Sequence, residues 1–427
     1  MMHHSVFTFV MKVDPGRCAQ LESVLNAIQK DRDGNPYLRF KELGCVHFAS
    51  FTIFPPDDTG EFEPCSGPPR EDRRHEPVLV FENNIDGPIP KYVDLLLDKA
   101  FDGMKAIVMC CSDTPATLER AVLRKYLLDH VVKAGAYHIG TPWRPVKSIQ
   151  DEARLRVTVE AEADKQRGGW KSVTDAREAR ARIQEVVKAQ PDLDFAKKPE
   201  RPPSLWDKWG PRIGPIVNGI VALVPFALAW AIVTLTTERT DCEWKGAVDE
   251  KLLDALGERE DKIAQNHMCN MNDVKSGWIR QMTMRGILCL ANLVARFSTS
   301  GTLSGIPSIH FAHWSLLDGG KRLLFLSNFD GSWENYLDDF IDKANKGLTG
   351  IWSNTWGFPR AYGLLWGGAT NAERFKAIAR QKQVPARVFF SAYKGVTVKQ
   401  VFANAAIRKD LYTNLDADGA RAWLRNL

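Results

Sequence analysis

Along the chain the period of apolar and polar positions switches repeatedly between two and about 3.6, the periods of strand and helix. Residues 7–13 alternate like a half-buried strand. Asp14-Pro15-Gly16 then opens a helix predicted to reach residue 29, with proline near its first turn. Residues 45–54 and 78–81 are β-branched and aromatic runs that predict strands. Asp86 stands where an N-cap belongs, and Leu95, Leu96, Lys99 and Met104 continue a mostly 3.6-period helix. A strand is predicted over 106–111, a helix over 115–132 and a short strand over 136–141. Strand, helix, strand, strand, helix, strand is the order of a split βαβ unit.

The second half repeats the first. Val80-Phe81-Glu82-Asn83-Asn84-Ile85-Asp86-Gly87 is echoed by Leu324-Phe325-Leu326-Ser327-Asn328-Phe329-Asp330-Gly331. Between residues 81–107 and 325–351, eleven of 27 positions are identical, where chance gives about two. His47 and His310 interrupt matching apolar runs, Val46-His47-Phe48-Ala49 and Ile309-His310-Phe311-Ala312. Gly16 pairs with Gly277, and Val146, Lys147, Ile149, Ala153 and Arg156 meet Val398, Lys399, Val401, Ala405 and Arg408. The blocks keep their order at offsets of 244 to 263 residues, so a duplication is expected. The expected fold is α+β: two tandem ferredoxin-like repeats, at 1–156 and 264–427.

Between them lies a polar, Pro-rich linker (157–212) with a helix predicted over 174–189. Residues 213–235 follow with no charge and only Asn218 and Thr234 as polar side chains. As a helix this segment would extend about 35 Å, enough for a bilayer core of about 30 Å. Trp206, Trp209, Trp230 and Trp244 lie near its ends, as interfacial aromatics do. Pro215, Gly219 and Pro225 would kink it. A second polar linker (236–263) completes the insert. The basic flank before the segment (Lys197, Lys198, Arg201, Lys208, Arg212) points to the cytoplasmic side, while paired repeats need both halves on one side. The expectation is monotopic attachment on the cytoplasmic face.

Charge adds one exclusion. A net charge of +5 is spread over 57 basic and 52 acidic residues that alternate nearly everywhere, which argues against a nucleic-acid partner. The eight cysteines form no C-x-x-C pair and no zinc spacing, so no metal is expected and a reduced setting is. The phosphate-binding loop, the His-Glu-x-x-His helix, the Gly-x-Ser-x-Gly elbow and the dinucleotide fingerprint are all missing from the sequence.

With its split βαβ order and its repeat, the chain resembles the dimeric α+β barrel superfamily, which includes dye-decolorising peroxidases, chlorite dismutases and small antibiotic-biosynthesis monooxygenases. The resemblance covers most of residues 5–156 and 264–410 and implies two sheets packed face to face as a pseudo-dimeric barrel. Asn-x-Asp-Gly also partly resembles the Gly-x-x-Asp-Gly signature of the peroxidases, whose aspartate helps break peroxide beside haem. Here Asn83 and Ser327 replace the first glycine, and no residue matches that family's haem-ligating histidine.

The second half carries the richer set of candidates: His310, Asn328 and Asp330 as catalytic groups, with Trp352, Asn354 and Trp356 as substrate-binding residues. His313 is expected on the opposite strand face from His310. The expected function is a membrane-associated, peroxidase- or monooxygenase-like oxidoreductase acting on a lipophilic substrate, with haem or no cofactor at all. The alternative is a non-catalytic, membrane-tethered module that binds lipid or supports a partner enzyme. Membrane lipids, a lipophilic small molecule, and a second copy or partner enzyme are the expected partners.

Overall fold

A computed structural model describes residues 4–56, 76–165, 176–198, 202–260, 262–298 and 302–427. Cys65, one of the eight cysteines, Thr174 at the start of the predicted linker helix and Arg201 of the basic flank lie outside them.

The strands are β1 (His4–Lys12), β2 (Val46–Phe54), β3 (Val78–Asp86), β4 (Val131–Lys133), β5 (Ala136–Ile139), β6 (Gln265–Asp273), β7 (Ile309–Leu317), β8 (Arg322–Asp330), β9 (Ala361–Tyr362), β10 (Trp366–Gly367) and β11 (Val388–Ser391). The helices are α1 (Cys18–Lys30), α2 (Ile89–Val108), α3 (Arg120–Asp129), α4 (Val146–Lys165), α5 (Ala176–Lys188), α6 (Leu205–Leu235), α7 (Glu250–Gly257), α8 (Trp278–Phe297), α9 (Trp333–Trp352), α10 (Ala372–Gln381), α11 (Val398–Asp410) and α12 (Ala417–Leu424). The chain is therefore mixed α+β.

Its two main sheets are antiparallel, in the orders β11-β2-β3-β1-β4 and β5-β7-β8-β6. Two edge strands are exchanged. β11, late in the chain, pairs with β2, and β5, early in the chain, pairs with β7. Alternation divides each strand between two cores. Phe7, Phe9 and Met11 of β1 pack under α1 and α2, while Val10 faces Leu324 and Leu326 of the other sheet. α8, α9 and α10 cover the outer face of the second sheet. α4, α5, α11 and α12 gather around Leu155, Ile183 and Trp423 as a helical layer of their own.

Two expectations change here. Residues 106–108 are the end of α2, not a strand, and only Cys111 bridges to Val13. The amphipathic face of α2 runs on through Met104, Ile107 and Val108, and helical burial overrides the local β-propensity. The expected linkers are packed elements: α4 crosses the boundary at 156, and α5 sits in the helical layer.

Among the described residues, α6 alone is long and apolar enough to cross a membrane, with mean hydropathy 2.3 over its best window. It is one continuous helix despite Pro211, Pro215 and Pro225, and a Ser204–Asp207 capping box starts it. One narrow face (Gly219, Phe226, Ala229, Val233) is buried, with Phe226 packed over Gly286 of α8. Ile220, Val221, Val224 and Leu228 are exposed.

Candidate functional site

The two predicted histidines sit at β-bulges. Register slips between Val46 and Phe48 in β2, and between Ile309 and Phe311 in β7. A bulge re-aims the extra side chain, and both rings turn inward, between the sheets. His47 Nε2 lies 2.9 Å from Asp86 Oδ1, and His310 Nε2 lies 2.8 Å from Asp330 Oδ1. The second carboxylate oxygen of each pair accepts a backbone N–H, from Val146 at 2.8 Å and from Val398 at 2.7 Å. Those amides open α4 and α11, where the helix dipole favours an anion. The predicted capping of the next helix is thus replaced. Asp86 and Asp330 end their strands and hold distant helices, while Ser332 caps α9. Gly87 and Gly331 follow at φ +94° and +85°, which suits glycine.

The bulge in β7 also overturns the expectation for His313. With one residue looped out, His310 and His313 both face inward, but they meet different partners.

The two pairs differ in their surroundings. Tyr393 Oη lies 3.0 Å from His47 Nδ1, whereas His310 Nδ1 is buried without a hydrogen-bond partner. Beside Asp86 on the neighbouring strand is His4; beside Asp330 it is Gln265. His4 Nδ1 lies 3.0 Å from the same Asp86 Oδ1, while its Nε2 is buried without a partner among the described residues. Donor atoms of His4, His47 and Asp86 all lie within 4.8 Å of one another. Burial would raise the Asp86 carboxyl, but the flanking histidine rings outweigh it and hold it well below the usual carboxylate range. Burial lowers the pKa of His47, opposed in part by Asp86. His4 also borders a cavity of about 110 Å³ with His138, Trp143, Lys208, Arg212 and Arg296.

Between the sheets, Glu82 is fully buried. Its carboxylate accepts from Ser50 Oγ at 3.1 Å, Asn84 Nδ2 at 2.9 Å and, across the interface, Asn328 Nδ2 at 2.8 Å. His267 Nδ1 lies 3.1 Å from Asn328 Oδ1, and His313 Nε2 lies 3.1 Å from Thr8 Oγ1. Asn328 is therefore a bridge between sheets rather than the wall of a cavity. The period-two run Glu82, Asn84, Asp86 was the signal for this polar stripe.

The six residues expected to form one pocket are divided. His310, Asn328 and Asp330 face the other sheet. Trp352 lies on the opposite side of its sheet, against Trp314 and Phe325. Asn354 closes the end of α9, donating to Gly350 O at 2.9 Å, with Arg280 and Lys275 nearby on Asp241. Trp356 joins its backbone to Asp273. The reason is topological: the β8 residues and the end of α9 flank the sheet from opposite faces. A haem does not fit the predicted histidines, because each ring is sealed in the sheet interface against a carboxylate and Phe311 or Phe48.

A second cavity, about 230 Å³ and almost wholly apolar, opens between α8 and α9. Trp314, Trp352, Leu290, Val294, Phe340 and Leu348 are in its wall, with Lys346 and Gly347 at the α9 side. Comparison of the chain with protein-family models, curated proteins and solved structures finds no match.

Proposed function

We propose that this chain is a membrane-attached module that takes a lipophilic molecule into the apolar cavity between α8 and α9. The cavity carries the reading. It has the low polarity and the volume to receive part of an acyl chain or a small terpenoid. α8 is shared, with one face walling the cavity and the other bearing α6.

The body is read as two fused ferredoxin-like repeats closed into a pseudo-dimeric barrel of the dimeric α+β type. The reciprocal exchange of β5 and β11 supports this, as do the matched bulges, His–Asp pairs and kinks at Ala100 and Ala344. Attachment is read as monotopic, from the cytoplasmic side. α6 is bound to the body along its length, by Arg212 to Arg296 O, Phe226 over Gly286, and Trp230 to Gly363 O. Crossing the bilayer would drag the arginines of α8 with it, at a cost of several kcal/mol. Lying in the interface costs nothing comparable.

The test is quenching of tryptophan fluorescence by a brominated fatty acid. Gly347 lines the cavity and an added Cβ there meets nothing within 4 Å, so Gly347→Phe places a ring at its edge. Quenching should saturate in the wild type and fall at least tenfold in the variant. Equal quenching in both would defeat the reading.

An oxidoreductase whose chemistry lies elsewhere in the molecule is the second reading. His310, Asn328 and Asp330 do not touch the cavity, so they are no longer its catalytic candidates. What favours an enzyme is the His4–His47–Asp86 cluster.

A further inference from the structure

We propose that His4, His47 and Asp86 form a mononuclear site for a divalent first-row transition metal, with open coordination positions toward the cavity beside His4. Two imidazoles and one carboxylate are a ligand set that zinc and ferrous iron both accept, with water completing the sphere. Metal–ligand bonds of about 2.0–2.2 Å require donor atoms roughly 3–4 Å apart. These donors already lie within 4.8 Å of one another.

The donors are also held in place. Val146 N–H fixes one oxygen of Asp86, and Tyr393 Oη holds His47 Nδ1, which leaves Nε2 for the metal. His4 is the observation that a structural reading leaves unexplained. It is more than nine-tenths buried, its Nδ1 sits 3.0 Å from Asp86 Oδ1, and its Nε2 has no partner among the described residues. A buried ring nitrogen left without a partner is unfavourable unless something satisfies it.

The chain contains its own control. His310 and Asp330 make the same bond and hold the same kind of helix start, yet Gln265 stands where His4 would be. The helix-holding role is thus complete with two residues. The third ligand and the Tyr393 support belong to the first pair alone. The cavity beside His4 has room for water and a small ligand. Lys208, Arg212 and Arg296 outnumber Asp207 in its lining and favour an anionic one. Spacing along the chain concealed the site, because its residues come from β1, the bulge of β2 and the end of β3. The proposal is independent of the lipophile cavity, which shares none of these residues.

Titrating the metal-free full-length protein with Co(II) tests it. One equivalent should bind, with visible d–d bands from nitrogen and oxygen ligation. His4→Gln, which copies the second half, and His47→Gln should each weaken binding at least 100-fold. Tyr393→Phe keeps all three ligands and should weaken it about tenfold. His310→Gln should leave it unchanged. The proposal fails if the wild type shows no saturable binding, or if either His4→Gln or folded His47→Gln binds as the wild type does. If His47→Gln does not fold, unchanged affinity in Tyr393→Phe overturns it.

Discussion

Inside the paired sheets, single histidines are kept neutral by the chain around them. His313 is fully buried, and burial lowers its pKa to about 4, with Glu82 opposing and His267 assisting. His138 is lowered to about 3 by burial and by the Arg296 charge. An unfolded chain takes up a proton on each ring below about pH 6.5, while the folded chain does not. Acid therefore favours unfolding between pH 6.5 and about 4. Each ring contributes about 1.4 kcal/mol per pH unit in that window, roughly 3 kcal/mol in all for His313. Denaturant unfolding at pH 6 and pH 5 should show the loss, and His313→Asn should reduce the slope by about one ring's share. An unchanged slope in that variant would mean that the native interior admits the proton. Glu82 also acts at this scale. As a buried carboxylate that accepts from Asn328, it ties the two sheets by a bond that Leu326, at the matching place in the second half, cannot make.

Among the elements, α6 shows most directly how one helix serves two surroundings. Its inward face is small or aromatic, and Phe226 lies over Gly286, where a Cβ would meet the ring at 2.2 Å. Its outward face is large and aliphatic: Val221 is 72% exposed and Leu228 62%. The two faces should respond differently to substitution. Phe226→Ala opens a cavity and should cost about 3 kcal/mol in stability. Val221→Asp with Leu228→Asp should leave the melting temperature within a few degrees and reduce co-sedimentation with lipid vesicles at least tenfold. A double variant that unfolds, or that still sediments fully, would mean that this face is covered by something other than lipid. The bulges in β2 and β7 are the other decisive elements. Each converts a regular strand into one that turns a histidine onto the aspartate that ends the neighbouring strand.

At the scale of the molecule, the exchanged strands make each sheet depend on both halves of the chain. β11 lies on β2 and β5 on β7, and Gly140, just past β5, lies so close to Ile309 that a Cβ would meet its carbonyl oxygen at 2.0 Å. Neither half can complete its own sheet alone. Fragments 1–198 and 202–427, co-expressed with a tag on one, should co-purify as a folded pair. Each alone should be insoluble or molten, because an unpaired edge and an uncovered apolar sheet face remain. Two stable monomeric fragments would show that the exchange is dispensable.

Much of this was legible in the chain. Period-two and period-3.6 patterning located β1, β2 and α1 to within a few residues, since alternation reports burial directly. The uncharged run marked α6, and the self-similarity singled out His47, His310, Asp86 and Asp330, which meet as two His–Asp pairs. Patterning could not show what those residues meet, because their partners lie up to 346 residues away, as Tyr393 does from His47. It misread 106–108 as strand, since a buried helix end and a buried strand are both short apolar runs. It also put Asn328 and Trp352 in one pocket, although a sheet stands between them. Which strand lies beside which, which side chain a bulge turns, and which buried ring nitrogen finds no partner are settled only when the two sheets close on each other. Those facts depend on contacts between distant segments, and a one-dimensional pattern carries no information about them.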